Sequence, residues 1–284
     1  MASFVEMPLV AIDRMVALAL EEDLASGDVT TEACIDPSAQ AVAHAVARRS
    51  LVACGGPVFS HVFTRVDPAV AVTLSIEEGA RAAPGQKLWS VRGRARSLLM
   101  GERVALNFVS RMSGIATETR AFVDAVPPGT RLRVTETRKT TPGLRALDRY
   151  AVRAGGGRNH RDDLGAAVLI KDNHIAACGG IREAIERARA YAPHTSKIEC
   201  EVDTLDQLDE ALGARADVVL LDNMETALVI EAVKRTQGRA VLEASGNITL
   251  ERIADLARAG VDAVSIGALT HSVRAADIGL DFEP

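Results

Sequence analysis

The chain has 284 residues, enough to bury a large core as one barrel or as two unequal domains. Its 48% hydrophobic and 25% charged content, with a net charge of −5, is ordinary for a globular protein. Aromatic residues make up only 3%, which predicts an aliphatic, alanine-rich core and argues against stacking platforms for single-stranded nucleic acid.

No apolar run approaches the roughly 18 residues that span a bilayer, and the start, MASFVEMPLV, lacks a basic n-region and a signal-like stretch. The expected location is the cytoplasm. Cys34, Cys54, Cys178 and Cys200 are widely spaced with no CxxC pair, which predicts reduced, mostly buried thiols.

Taken in order, residues 8–24 repeat Leu9, Ile12, Met15, Val16, Ala19 and Leu20 at intervals of three and four, a helical pattern. Its acidic end, Glu21 to Asp23, reads as solvated. Ser26-Gly27-Asp28 is a turn, with Asp28 or Thr30 placed to cap the next element. Residues 41–48, 70–76 and 88–91 are strand-like. Gly55-Gly56-Pro57 precedes a short helix over 58–66, and Gly79 and Pro84-Gly85 supply turns. Together these describe a small α+β domain.

Ser97 is placed as the N-cap of a long helix, LLMGERVALNFVSRMSG, whose apolar residues cover most faces. Arg103 stands out on it. It either snorkels or pairs with a neighbouring acid, or is an interface guanidinium aimed at a carboxylate or phosphate.

From residue 131 the pattern changes. Strand-like runs at 132–135, 166–170, 197–202, 218–221, 240–243 and 263–266 alternate with helical segments at 144–154, 180–191, 204–213, 224–237 and 249–259. Apolar strands alternating with amphipathic helices indicate parallel β/α units. Six strands, not eight, predict an incomplete β/α barrel.

Between residues 131 and 161, nine Arg or Lys stand against two acids, Glu136 and Asp148. So local an inversion of charge favours a small, highly anionic ligand over a nucleic-acid face. The strand ends, where such barrels carry their sites, sort by chemistry. Arg138-Lys139 and Lys171-Asp172 follow the first two strands. Glu201 with Asp203, and Asp222-Asn223, follow the next two. Ser245-Gly246-Asn247, then Ser265 and Gly267, follow the last two. The cations suit carboxylates, bidentately in the case of Arg. Glu201 and Asp222 suit hydrated magnesium or ribose hydroxyls, and the glycine turns let backbone N–H groups approach phosphate. His160 and His174 are open to either an acid/base or a structural reading. The set predicts a sugar phosphate meeting a small planar polyacid.

The blocks ETRKTTPGLR, AVRAGGGRNHR and LIKDNHI resemble the signature of the quinolinate phosphoribosyltransferase family, also called nicotinate-nucleotide pyrophosphorylase (carboxylating). The resemblance runs collinearly through EEDLASGDVTT, GERVALNFVSRMSGIAT, KIECEVDTLDQL, VVLLDNM, LEASGNI and VSIGALTHS. It departs after Arg161, where Asp163 stands for the usual Gly and Ala166 for the usual Asp.

The resemblance implies an α/β open sandwich over residues 1–112, rejoined by 271–284, and an incomplete β/α barrel over 113–270 that carries the site. It implies transfer of the phosphoribosyl group of 5-phosphoribosyl 1-pyrophosphate (PRPP) to quinolinate with decarboxylation. Mg2+ is the implied cofactor, and a homodimer supplies Arg103 across its interface. Arg138, His160, Arg161 and Lys171 match positions around the dicarboxylate, and Thr137 matches a substrate-binding position. Lys139, Glu201, Asp222 and the turns Ser245-Gly246-Asn247 and Ser265-Ile266-Gly267 match the PRPP side, with Lys139, Glu201 and Asp222 catalytic and the two acids holding the metal. Two other readings stand beside it: a phosphoribosyltransferase-like protein of molybdenum-transport operons, and a non-catalytic barrel that binds a dicarboxylate or phosphate.

Overall fold

A computed structural model of the chain describes Met7 and residues 9–284. The chain divides into two compact units, one comprising Met1–Arg120, Thr140–Gly156 and Leu269–Pro284, the other Ala121–Lys139 and Gly157–Ala268. The sequence division near residue 112 leaves residues 140–156 with the barrel, whereas in space they belong to the first unit.

In the first unit, α1 (Leu9–Leu24) buries Ile12, Val16 and Leu20. Residue 8, the expected start of this helix, lies outside the described residues. Asp28 caps a short helix, α2 (Val29–Cys34), by accepting the Thr31 N–H at 3.0 Å. The sheet strands are β1 (Gln40–Ala47), β3 (Ala71–Leu74), β5 (Lys87–Arg94) and β12 (Ile278–Phe282). They pair in the order β12-β1-β5-β3, antiparallel throughout. The two-residue strands β2 (Leu51–Val52) and β4 (Arg81–Ala82) pair separately. Helix α3 (Gly56–Val66) opens on Pro57 and packs Val58, Phe59, Val62 and Phe63 into the core beside Trp89.

The long helix α4 (Ala95–Asp124) corrects two expectations. Ser97 is not its cap but lies in its first turn, buried, donating its hydroxyl to Asp67 Oδ2 at 2.8 Å. Gly114 is not its end. A Cβ there would lie 2.2 Å from the Arg274 carbonyl oxygen, so this glycine admits the C-terminal segment against the helix. Arg103 and Asn107 are exposed on it in the single chain. Arg111, one further turn along, grips the fully buried Asp148 of α5 (Arg145–Ala154) with two bonds of 2.9 and 2.8 Å.

In the second unit, β6 (Arg133–Thr135), β7 (Val168–Ile170), β8 (Ile198–Val202), β9 (Val218–Asp222), β10 (Val241–Ser245) and β11 (Ala263–Ser265) form one parallel sheet. The order is β6-β11-β10-β9-β8-β7. Read around the sheet, each strand from β7 to β11 neighbours its successor and β11 closes back on β6. Only the β6/β7 junction stays open, which is the incomplete barrel that the strand count predicts. Between the strands come α6 (Asp172–Cys178), α7 (Ile181–Tyr191), α8 (Leu205–Gly213), α9 (Thr226–Thr236) and α10 (Leu250–Ala259); α11 (Ala268–His271) follows β11.

The pleat sorts the strands chemically. Val134, Cys200, Val202, Val219, Leu221, Leu242, Ala244 and Val264 point to one face and are buried. The other face carries Thr135, Glu199, Glu201, Asp222, Glu243, Ser245 and Ser265, as the register shows. Among the described residues no helix is long and apolar enough to cross a membrane. All four cysteines are free. Burial pushes the Cys200 thiol up to about 12 and raises Cys54 as well.

Candidate active site

The carboxyl ends of the parallel strands line up in register. Thr135 of β6 pairs with Ser265, Ser265 with Ser245, and Ser245 with Asp222. One step back along the strands, Glu243 and Glu201 both flank Leu220. The sheet edge is thus a row of hydroxyls and a carboxylate above a row of acids, and the loops beyond the strand ends bring cations over it.

The loop after β6 holds Thr137, Arg138 and Lys139, with Thr137 Oγ1 accepting the Lys139 N–H at 3.1 Å. The 158–161 segment is tied to the same strand, since the Arg158 N–H donates to the Val134 carbonyl at 2.8 Å. Glu136, wholly buried, accepts the His160 N–H at 3.2 Å and the Asn159 side-chain amide at 3.0 Å. Arg161 comes close enough to Arg138 to feel its charge. Burial first, and Arg138 second, hold the Arg161 pKa below its ordinary value. Arg161 Nη1 donates to the Ala167 carbonyl at 3.0 Å, while its Nε is buried without a protein partner among the described residues. The departure from the family pattern folds as a turn of its own, in which Asp163 accepts the Gly165 N–H at 2.8 Å and Ala166 is exposed.

Lys171 ends β7 and reaches Glu201 Oε2 at 2.5 Å, joining a cation to the acids of the third strand end. His174 takes a structural part here, since its Nδ1 accepts the Lys171 N–H at 3.0 Å at the start of α6. On the neighbouring strands, Asn223 donates to Asp222 Oδ2 at 2.7 Å and Asn247 donates to Asn223 Oδ1 at 3.3 Å. Asn223 (φ 53) and Asn247 (φ 50) are both left-handed, backbone strain of a kind that collects at functional sites. Gly246 is confined by the same network, because a Cβ there would meet Asn223 Oδ1 at 2.0 Å. In the last turn the Ile266 N–H is already given to the Thr135 carbonyl at 3.0 Å, beside Gly267.

Below this rim His160 meets two strand acids. Its Nε2 lies 3.5 Å from Glu199 Oε2 and 3.4 Å from Glu243 Oε1. Burial lowers the His160 pKa, while hydrogen bonding to Glu199 and Glu243 and their charges act to raise it. A second ring proton conflicts with the contact at Nδ1, where the Arg161 backbone N–H points in from 2.8 Å. Two N–H groups cannot face each other at that distance, so Nδ1 is bare and the ring carries its proton at Nε2. Burial raises the Glu199 carboxyl.

The expected site residues of the second unit lie on or just after strand ends of one sheet, apart from His160 and Arg161, which the 158–161 segment tied to β6 brings there. Arg103 lies in the first unit, exposed on α4. Sequence reasoning missed Glu136, Asn159, Glu199 and Glu243 as site residues. The signal was present for two of them: an acid inside an otherwise apolar strand, as in IECEV and VLEAS, demands a partner. Glu201 and Asp222 are half-buried oxygen donors on adjacent strands, and such a set fits hard, mostly hydrated Mg2+.

Two family models match the chain. The quinolinate phosphoribosyl transferase N-terminal domain covers residues 28–113 and the C-terminal domain residues 115–281. The chain is 47% identical over 270 residues to nicotinate-nucleotide pyrophosphorylase [carboxylating] of Mycobacterium leprae, covering 93% of this chain and 94% of that one. It is 42% identical to a probable enzyme of the same name from Bacillus subtilis, covering 92% and 89%. In three dimensions it is similar to NadC from Streptococcus pyogenes, with a TM-score of 0.93 and 41% identity over 99% of this chain and 100% of that one. It also resembles the nicotinate-nucleotide pyrophosphorylase of Ehrlichia chaffeensis, with a TM-score of 0.91 and 41% identity over 95% and 98%.

Proposed function

The chain belongs to the quinolinate phosphoribosyltransferase family, and from that premise we propose how its residues divide the work of the reaction. The reaction is transfer of the phosphoribosyl group of PRPP to quinolinate with loss of CO2, a step of NAD biosynthesis.

In this reading Arg138, Arg161 and Lys171, with Thr137 beside them, take the two carboxylates of quinolinate. The observation that carries it is the Arg161 guanidinium, within reach of the charge of Arg138 and with a buried N–H left over. Two cations near enough to feel each other's charge, one with a donor to spare, suit an anion. Lys139 and the Ser245-Gly246-Asn247 and Ser265-Ile266-Gly267 turns take the phosphates of PRPP. Glu201 and Asp222 face the ribose. They would also hold Mg2+, largely through water and the substrate's own phosphates. When bound, the ion offsets the charge of the departing diphosphate.

The ring nitrogen of quinolinate displaces diphosphate at C1 of the ribose. Positive charge develops on the sugar, where Glu201 and Asp222 stabilise it, while Lys139 balances the leaving group. The product ring is a pyridinium. It accepts the electron pair left at C2 when the C2 carboxylate departs as CO2, and C2 then takes up one proton. No protein nucleophile is required, and the side chains work by position and charge.

Arg103 completes the site from a second copy of the chain, consistent with its exposure on α4 in the single chain. A cytoplasmic location belongs to the same reading and agrees with four free thiols.

The test is substitution on the rim. Arg138→Ala and Lys171→Ala should each lower kcat/KM for quinolinate by about 3 kcal/mol, roughly a hundredfold, because a substrate carboxylate loses its charged partner. Both residues are partly exposed, so circular dichroism should match wild type. Unfolding instead of selective loss would make these cations structural.

A further inference from the structure

His160 matches a substrate-binding position, yet every polar atom that the structure pairs on it is turned toward the protein. Its backbone N–H goes to the buried carboxylate of Glu136. Its Nδ1 receives the Arg161 N–H, and its Nε2 faces Glu199 and Glu243, both buried in the sheet. Glu136 also holds the preceding residue through the Asn159 amide. Arg161 is fixed at two points in turn, at its peptide N–H by His160 and at Nη1 by the Ala167 carbonyl.

We propose that His160 serves quinolinate through Arg161 and does not touch it. It is a positioning residue, braced by Glu136, Glu199 and Glu243, whose Nδ1 sets the peptide from which the Arg161 guanidinium projects. The three glutamates form an acidic floor under the cationic rim. Without it the 158–161 segment keeps its tie to β6 at Arg158 but loses its anchor at residues 159–161, and the Arg161 guanidinium is free to move. A bare Nδ1 and an Nε2 occupied by carboxylates leave the ring no N–H to offer a substrate. The chemistry of the contacts thus separates His160 from the three cations around it.

The inference rests on the proposal that Arg161 binds quinolinate, and the experiment separates the two. KM for quinolinate, KM for PRPP and kcat are measured for Arg161→Ala, His160→Asn, His160→Gln and the double variant Arg161→Ala/His160→Gln, with thermal unfolding alongside. Asn carries its amide oxygen near the place of the imidazole Nδ1, and Gln near that of Nε2. Arg161→Ala should raise the quinolinate KM about a hundredfold. His160→Gln should raise it about tenfold with little change in the PRPP KM, and His160→Asn by no more than about threefold. The double variant should be no worse than Arg161→Ala alone, because a residue acting only through Arg161 has nothing left to act on.

A Gln variant milder than Asn, effects that multiply in the double variant, or an equal rise in the PRPP KM each overturn the inference. An unchanged quinolinate KM in Arg161→Ala overturns instead the reading of the site. Should His160→Gln fail to fold, the unaltered protein decides. Nitrogen-15 spectra should show His160 with a bare Nδ1 and a protonated Nε2, the same before and after saturation with quinolinate. A shift of the Nε2 signal on binding, or a stoichiometric divalent ion held by His160, Glu199 and Glu243, whose ligand atoms lie within 4.8 Å of one another, overturns it.

Discussion

At the scale of single residues, the buried acids of this chain are distinguished by what they accept. Asp67 ends α3 and takes the Ala69 N–H at 3.0 Å, the Ser97 hydroxyl at 2.8 Å and Arg94 Nε at 2.9 Å. These bonds, the Ala69 N–H foremost, hold its carboxyl below the usual carboxylate range. A folded pKa below the unfolded one stabilises the fold above the unfolded value, about 3.9, and that stability is lost as pH falls through the folded value. Asp67→Asn should therefore cost about 2 kcal/mol near neutrality. Its thermal unfolding should run a constant few degrees below wild type from pH 5 to 8, with the gap closing below about pH 4. A gap that widens in acid would contradict the assignment. Glu199 and Glu243 make a different point. Their strands are legible as apolar runs, but the partner that makes a buried acid tolerable, His160, comes from a loop some 40 to 80 residues earlier in the chain, so the cluster emerges only in space.

At the scale of elements, the β/α alternation was readable because each strand is apolar on the face it buries and each helix is amphipathic. The boundaries of α5 and of α7 to α10 fall within two residues of their sequence patterns. The long helix was readable in kind and not in extent. Gly114 carries the sequence signature of a stop, yet what the glycine provides is room for the Arg274 and Ala275 backbone, a long-range contact with no local trace. The short strands β2 and β4 left no periodicity to detect, and α2 showed only its cap, Asp28. The rim itself was largely legible, since punctuation and charge fall together at strand ends in a parallel sheet. Asn223 and Asn247 were visible at their strand ends; what escaped was the bond between them, made across two turns with left-handed backbones beside Gly246.

At the scale of the whole molecule, the account has one site built from cations of two origins. Arg103 is exposed in the single chain, and in the proposed dimer it reaches the site of the neighbouring copy. Arg103→Ala and Lys171→Ala dimers should each be nearly inactive while remaining dimeric. After subunit exchange of equal amounts, half the dimers are mixed and each has one complete site of two. About a quarter of wild-type activity should then return, for independent sites related by two-fold symmetry. No recovery after verified exchange would return Arg103 to its own chain.

The central claim is that this rim reads both carboxylates of its substrate. Comparing kcat/KM for quinolinate and for nicotinate, with PRPP and magnesium present, tests it most directly. Nicotinate lacks the 2-carboxylate and gives the Arg138, Arg161 and Lys171 set one substrate carboxylate in place of two. Quinolinate should be preferred by about a hundredfold or more, with CO2 and nicotinate mononucleotide appearing together. Equal turnover of nicotinate would contradict the account.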